Sequence, residues 1–113
     1  MSPITTHVLD TSRGRPAVGV SVRLDRRAAD GSYDSVGSGA TDADGRLRTL
    51  LEKADLTTGV YRLTFDTGAY FGALGILGFY PEASIVFTVG SKDEHYHVPL
   101  LLTPFGYSTY RGT

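Results

Sequence analysis

The fold of this chain is decided by Val98-Pro99-Leu100-Leu101-Leu102-Thr103-Pro104-Phe105-Gly106-Tyr107-Ser108-Thr109, an apolar and aromatic stretch near its carboxyl end. Apolar residues fill consecutive positions up to Leu102, so a strand here carries apolar side chains on both faces. Pro104-Phe105-Gly106 is typical of a turn, and residues 107–111 then alternate with the period of a strand. Because burial on one side needs only one apolar face, we infer that another subunit covers the second face.

The rest of the chain shows strand-like segments between clusters of Gly, Asp, Pro and Ser, and this pattern is typical of an all-β protein. The clearest segment is 18–24, where Val18, Val20, Val22 and Leu24 are expected to share one buried face. Asp30-Gly31 and the run from Asp42 to Gly45 are predicted turns. The predicted strands are 5–9, 18–24, 33–40, 46–51, 60–66, 83–89, 95–102 and the terminal strand.

One segment breaks the strand pattern, because Thr67 is placed to cap a short helix over 68–74 that ends near Gly75. About eight strands and one short helix indicate a mostly β fold, an antiparallel β-sandwich of two sheets. No linker or repeat divides the chain, so we expect residues 1–113 to form a single domain.

The composition is that of an ordinary globular protein, with 41% hydrophobic and 20% charged residues and a net charge of -1. This balance gives no electrostatic case for binding nucleic acid or an anionic membrane. No run approaches the roughly 18 apolar residues of a membrane helix, and the first residues lack the apolar core of a secretory signal. The absence of Cys permits a reducing compartment, and we expect a cytoplasmic location.

The three histidines, His7, His95 and His97, are the first candidates for chemistry. His95 and His97 lie two positions apart on a predicted strand, so their side chains share a face. In isolation His95 is typical of a solvent-facing residue beside a turn and His7 of a structural one, whereas His97 fits a packed and a functional histidine equally. The three could also supply zinc ligands, but the chain offers no Cys and no obvious fourth ligand.

Two arginines fit either a solvated surface role, the commonest one for this residue type, or a binding role. Arg46 follows the Asp44-Gly45 turn at the mouth of its strand, where a guanidinium could clamp an anion or a carbonyl. Arg111 lies between Tyr110 and Gly112 at the end of the terminal strand. No dinucleotide fingerprint, phosphate loop or nucleophile elbow occurs, so covalent catalysis has no support from the sequence.

Five segments in a fixed order resemble the 5-hydroxyisourate hydrolases, the transthyretin-related enzymes of urate breakdown. The segments are Thr6-His7-Val8-Leu9-Asp10 with Gly14-Arg15-Pro16-Ala17, Thr41-Asp42-Ala43-Asp44-Gly45-Arg46, Thr58-Gly59-Val60-Tyr61-Arg62, Phe65-Asp66-Thr67-Gly68-Ala69-Tyr70-Phe71, and the terminal pair 95–102 and 107–112. Two positions depart from the family pattern, since Thr103 and Thr113 stand where Ser is common. At Thr113 the hydroxyl is kept and a methyl group is added, which could narrow a pocket.

The resemblance implies the transthyretin sandwich of two four-stranded sheets, assembled as a homotetramer with active sites at the interface between dimers. It implies hydrolysis of 5-hydroxyisourate to 2-oxo-4-hydroxy-4-carboxy-5-ureidoimidazoline, in which water attacks the C6 carbonyl and the N1–C6 bond opens. It implies a small-molecule substrate, no cofactor and no metal. The family's catalytic positions match His7, Arg46 and His97, and its substrate-binding tail matches Tyr110, Arg111, Gly112 and Thr113.

Histidine chemistry suits this reaction, because an imidazole can take a proton from water and return it to the leaving nitrogen. Either His97 or His7 would be the general base, and the sequence does not rank them. Arg46 would stabilise the negative charge that develops on the attacked carbonyl.

Three alternatives remain open from the sequence. One is a non-catalytic carrier of a small aromatic ligand, as transthyretin is, although transthyretin lacks this histidine pattern and the Tyr-Arg-Gly tail. The others are a sandwich adhesion module and a zinc-dependent hydrolase.

Overall fold

The structure of the protein, a computed structural model, describes residues 2–113 and contains two β-sheets and one short α-helix. The strands are β1 (Ile4–Asp10), β2 (Arg15–Pro16), β3 (Ser21–Arg27), β4 (Tyr33–Ala40), β5 (Arg46–Leu47), β6 (Gly59–Phe65), β7 (Ala83–Val89), β8 (Tyr96–Thr103) and β9 (Gly106–Thr109). The first sheet has the strand order β2-β1-β8-β9, with β5 also paired to β1, and the second has the order β4-β3-β6-β7. The helix α1 spans Thr67–Ala73, and a single 3₁₀ turn spans Lys53–Asp55.

The predicted class is confirmed, since the chain forms a mostly β sandwich of two sheets with one α-helix among the described residues. The antiparallel pairing predicted for the sandwich holds for every described strand pair except the one at the centre of the first sheet, where β1 and β8 are parallel from Ile4↔Tyr96 to Asp10↔Leu102. A parallel pair needs a long crossover connection, and the chain between β1 and β8 supplies it. The periodicity of each strand says nothing about the direction of its partner.

The strand predicted to begin at Val18 begins at Ser21 instead, and Val18 is 54% exposed. Gly19 adopts a positive φ of 78°, a left-handed conformation that interrupts the strand between Val18 and Val20. Val20, Val22 and Leu24 are buried as predicted. The strand predicted over 46–51 is also shorter, because β5 ends at Leu47.

The helix lies where it was predicted, but its cap is Asp66 rather than Thr67. The Asp66 carboxylate accepts a hydrogen bond from the backbone N–H of Ala69 at 3.1 Å. Thr67 is the first helical residue, and its hydroxyl donates to the Tyr80 carbonyl at 3.0 Å. The Thr67 hydroxyl therefore fastens the helix to the chain that leads into β7.

The core lies between the sheets and is built from side chains that alternate along their strands. Its largest fully buried members come from both sheets and from the helix, and they include Tyr61, Phe65, Phe71, Ile4, Leu24, Leu63, Leu100 and Leu102. Because β1 and β8 send alternate side chains inward, the others on these two central strands form an outer face. No helix within residues 2–113 has the length and apolar character needed to cross a membrane.

The apolar side chains most exposed to solvent lie in loops rather than on the outer face of β8. Leu77 and Phe79, before β7, are 87% and 69% exposed, and Phe105, in the turn before β9, is 74% exposed. On the outer face of β8 Pro99 is buried and Leu101 is half-buried. The exposed apolar surface expected of a subunit interface is thus found mainly at these loops.

Candidate active site

Two strand registers bring the predicted catalytic residues together on the outer face of the first sheet. In the parallel pair of β1 and β8, Thr5 is the register partner of His97. On the other side of β1, His7 is the register partner of Arg46 in β5. Because Thr5 and His7 lie two positions apart on one strand, their side chains project to the same face.

An open cavity of about 210 Å³ lies on this face. Its lining carries basic and hydroxyl groups and no carboxylate side chain among the described residues, namely Thr5, Thr6, Arg46, Arg48, His95, His97 and Thr113. A cavity with this lining favours a ligand that is an anion or that is rich in carbonyl oxygens.

His97 is half-buried at this cavity and is held at one ring nitrogen. Its Nδ1 lies 2.8 Å from the Thr5 hydroxyl, and no described residue forms a hydrogen bond with its Nε2. Burial lowers the pKa of His97 below the usual 6.5, and the positive charge of Arg46 and the neighbouring His95, His7 and Arg48 lower it further. The imidazole is therefore neutral at pH 7, with one nitrogen available to accept a proton.

His7 is held by a backbone carbonyl. Its Nε2 lies 2.8 Å from the carbonyl oxygen of Asp44, and a carbonyl can only accept, so Nε2 carries a proton. This contact fixes the ring to the turn before Arg46. His7 does not line the cavity on this chain, although it lies directly across from Arg46.

Arg46 is presented by a tightly bonded turn. The Asp42 carboxylate accepts hydrogen bonds from the backbone N–H groups of Arg46 and Asp44, both at 2.9 Å. These bonds, that of Arg46 above all, lower the pKa of Asp42, and the slight desolvation of this exposed carboxylate opposes them. Gly45 has a φ of 76°, and a side chain there would collide with the Val8 carbonyl. The predicted turn is confirmed, and it fixes the backbone position from which the Arg46 side chain extends.

The carboxyl-terminal tail crosses the imidazole of His97. The N–H of Gly112 donates to the carbonyl of His97 at 2.8 Å, and a Cβ added at Gly112 would lie 2.5 Å from the His97 Cδ2. Only glycine allows this approach, and it places Thr113 at the cavity.

The other two tail residues point elsewhere on this chain. The predicted strand through Arg111 ends at Thr109, and the Arg111 guanidinium pairs with Glu94 at 3.3 Å and lies 4.7 Å from the Tyr96 ring centre. Tyr110 is 58% exposed. Tyr110 and Arg111 line a second cavity of about 340 Å³ between β7 and β9, at the edges of the two sheets.

Sequence reasoning missed three residues of the cavity, Thr5, Thr6 and Arg48. Thr5 and Arg48 each lie two positions along the chain from a predicted site residue, so the period of a strand was the signal that could have found them. His95 is exposed, as expected, but its Nε2 lies 3.1 Å from the Thr5 hydroxyl. Its ring is nearly parallel to that of His97, with centroids 6.3 Å apart.

A zinc site built on the three histidines would need several ligand side chains close together. Within residues 2–113 no group of three or more His, Cys, Asp or Glu side chains is arranged to hold a metal ion.

Comparison with known proteins gives 5-hydroxyisourate hydrolases by sequence and transthyretins by structure. The chain is 48% identical over 118 residues to 5-hydroxyisourate hydrolase of Caulobacter vibrioides, covering all of both chains. It is 43% identical to 5-hydroxyisourate hydrolase of Mus musculus, covering 99% of this chain and 96% of that one. It is also 48% identical to the uric acid degradation bifunctional protein TTL of Arabidopsis thaliana, but it spans only 37% of that protein's length.

Among solved structures, transthyretin from Sparus aurata superposes with a TM-score of 0.94 at 34% identity, covering 99% of this chain and 97% of that one. A sea bream transthyretin in complex with thyroxine gives the same TM-score at 35% identity, covering 98% of this chain and 95% of that one. The family profile described as HIUase/Transthyretin matches residues 4–112, and the chain therefore belongs to the HIUase/Transthyretin family.

Proposed function

We propose that this protein is a hydrolase that opens 5-hydroxyisourate to 2-oxo-4-hydroxy-4-carboxy-5-ureidoimidazoline in urate degradation. The full-length relatives named 5-hydroxyisourate hydrolase support the reaction. The observation that carries it in this chain is a histidine, His97, whose lowered pKa keeps it neutral in a basic cavity beside Arg46. A neutral imidazole is the form that accepts a proton from water.

We assign the general base to His97 and its free Nε2. As the water oxygen attacks the C6 carbonyl carbon, His97 takes one proton, and the carbonyl electrons move to its oxygen. When the carbonyl re-forms, the N1–C6 bond breaks and the proton passes from His97 to the leaving nitrogen. General acid–base transfer of this kind contributes about 10²–10⁴-fold in rate.

His97 is favoured over His7 for this role by their hydrogen bonds. His7 donates its Nε2–H to the Asp44 carbonyl and lies outside the cavity lining. His97 lines the cavity, and its Nε2 forms no hydrogen bond with a described residue. His7 is better suited to orient the turn and to contact substrate through Nδ1.

Arg46 is assigned to the developing negative charge on the attacked carbonyl oxygen. Its guanidinium offers a rigid fork of donors, and the turn at Asp42 fixes its position before the reaction, so little reorganisation is needed. Arg48 lines the same cavity and adds positive charge for a substrate rich in carbonyl oxygens.

The tail is assigned to substrate binding through its last two residues. Thr113 lines the cavity and Gly112 packs on His97, so these two close one side of the site. Arg111 holds the tail in place through its contacts with Glu94 and Tyr96. Tyr110 lines the second cavity beside Arg111, at the edge of the sheet.

We further propose that four copies assemble and that the sites lie where dimers meet. The cavity is open on one chain, and the exposed Leu77, Phe79 and Phe105 supply apolar surface for association. A single domain over residues 1–113 and a cytoplasmic location stay predictions.

The test is an ultraviolet time course on freshly generated 5-hydroxyisourate, run with the wild type and with His97→Asn. Both proteins are first sized by gel filtration, so that a loss of activity is not a loss of assembly. The wild type is expected to speed decay above the spontaneous rate, and His97→Asn to lose about 10²–10⁴-fold of that acceleration.

Two outcomes would contradict the proposal. An assembled wild type that gives only the spontaneous rate, and that binds an aromatic ligand without turnover, would favour a transthyretin-type carrier. Activity that disappears with EDTA and returns with zinc would favour a metal hydrolase.

A further inference from the structure

One hydroxyl group on the outer face of the first sheet contacts two imidazole rings. The Thr5 Oγ1 lies 2.8 Å from His97 Nδ1 and 3.1 Å from His95 Nε2. Thr5 itself is only 3% exposed, so solvent does not compete freely for its hydroxyl. The site therefore contains a chain of three side chains, His95, Thr5 and His97, which we call the hydroxyl relay.

A threonine hydroxyl has a single proton, and this makes the relay directional. If Thr5 donates to His97 Nδ1, the neutral His97 ring carries its own proton on Nε2, and Nε2 cannot act as a base. If His97 Nδ1–H donates to Thr5 instead, Nε2 has a free lone pair, and the Thr5 proton turns to His95 Nε2. Only the second direction leaves His97 ready to accept a proton at the cavity.

We propose that Thr5 and His95 are positioning residues that hold His97 in the tautomer with its proton on Nδ1. His95 Nε2 lies where it can accept the Thr5 proton, and this acceptance favours the direction of the relay that frees His97 Nε2.

Charged groups surround both ends of the relay. Arg46, Arg48 and His7 face His97 and disfavour its protonation. The surroundings of His95 carry both signs, because Lys53, Lys92, Asp93 and Glu94 line the neighbouring surface with it.

The inference rests on the proposed function only in taking His97 as the base, and its first test needs no substrate. The ¹⁵N chemical shifts of His97 report which ring nitrogen carries the proton. In the neutral wild type and in Thr5→Ser, which keeps the hydroxyl, we expect the proton on Nδ1. In Thr5→Val, which removes the hydroxyl, we expect a substantial shift of that proton to Nε2. A wild-type proton on Nε2, or a tautomer unchanged in Thr5→Val, would overturn the proposal.

Kinetics provide the second readout. Thr5→Val is expected to lower kcat about threefold to tenfold, the worth of one neutral hydrogen bond, with little change in KM, and Thr5→Ser to restore it. Thr11→Val is the matched control, because the Thr11 hydroxyl bonds only the Leu102 carbonyl at the far end of the strand pair. Equal losses in Thr11→Val and Thr5→Val would assign a structural role to both.

Two substitutions at the exposed His95 keep the proposal testable even if Thr5→Val folds poorly. Gln offers an oxygen that accepts the Thr5 proton at every pH, whereas Leu offers no acceptor. We expect His95→Gln to keep kcat at neutral pH and His95→Leu to lose it about as Thr5→Val does. If the two variants have the same kcat and the same His97 tautomer, His95 has no part in the relay.

Discussion

Two hydrogen-bonded clusters on strand β1, each built around one buried side chain, face opposite sides of the same sheet, and they differ in whether they are closed. On the inner side Asp10 is fully buried and accepts hydrogen bonds from the Tyr70 hydroxyl at 2.8 Å, the Ser12 hydroxyl at 2.6 Å and the N–H of Arg13 at 3.2 Å. On the outer side Thr5 joins His95 and His97, and Nε2 of His97 is left open to the cavity.

Each cluster contains one group whose pKa is lowered, Asp10 in the closed cluster and His97 in the open one, but the causes differ. Burial alone would raise the pKa of Asp10, and the hydrogen bonds from Ser12, Tyr70 and Arg13 more than offset it, so the carboxylate stays charged. Burial itself lowers the pKa of His97, and the cationic neighbours add to the effect, so the imidazole stays neutral. The closed cluster thus stabilises the fold, while the open cluster keeps a base available for chemistry.

The largest effect on the outer side of the sheet is expected from Arg46→Gln, which changes the cavity beside the open cluster. Loss of the guanidinium removes a positioned donor for the developing oxyanion, so kcat should fall about 10²–10³-fold. Steady-state kinetics on 5-hydroxyisourate measure this, and thermal unfolding checks that stability changes little. A variant with near wild-type kcat would contradict the assignment of Arg46 to the developing negative charge.

The next largest effect is expected at the tail, from Gly112→Ala. The added methyl group collides with the His97 ring, and a displacement of about 1 Å at a reacting group can cost about 10²-fold in rate. Gly72→Ala is the matched control, because nothing lies within 4 Å of a Cβ there and the position is helical. Equal kcat/KM values in the two variants would contradict the packing of the tail on His97.

Tyr70→Phe tests the closed cluster. It leaves the buried Asp10 short of one donor, so the free energy of unfolding should fall by about 1–3 kcal/mol, while kcat/KM stays unchanged. The lowered pKa of Asp10 contributes stability that is present above pH 3.8 and is lost as the pH falls through the folded value. Acid unfolding of Tyr70→Phe should therefore occur at a higher pH than that of the wild type, which circular dichroism can follow. A loss of turnover without a loss of stability would reverse the roles of the two clusters.

The smallest effect is expected from Thr113→Ser. The hydroxyl is kept and one methyl group leaves the cavity, so a change in KM of about threefold or less is expected, with kcat preserved. A large rise in kcat would mean that the methyl group narrows the site, and this would sharpen the role of the tail.

How far the sequence predicts this molecule depends on whether a feature is local. The Asp42–Gly45 turn, the helix near Thr67 and most strands follow from short patterns of polarity and turn residues, and the structure bears them out. The positive φ of Gly19, which removes Val18 from β3, depends on the path of the loop and leaves no mark in the alternation.

The site depends on register, which no local pattern encodes. His97 and Thr5 meet because β1 and β8 are parallel neighbours, and 92 positions separate them in the chain. The resemblance to a family located His7, Arg46 and His97, but it offered no reason to single out Thr5. The lowered pKa of His97 likewise comes from burial and from charges on other strands, which only the assembled sheet brings together.

The most direct test of the account is to titrate His97 and the reaction in the same wild-type protein. NMR would follow the protonation of His97, while kcat/KM for 5-hydroxyisourate is measured over the same pH range. We expect kcat/KM to be lost as the pH falls, with a midpoint below 6.5 that coincides with the protonation of His97. Above this pH range we expect kcat/KM to stay constant. A His97 that is still protonated at pH 7, or an acid limb that follows a different group, would contradict the account.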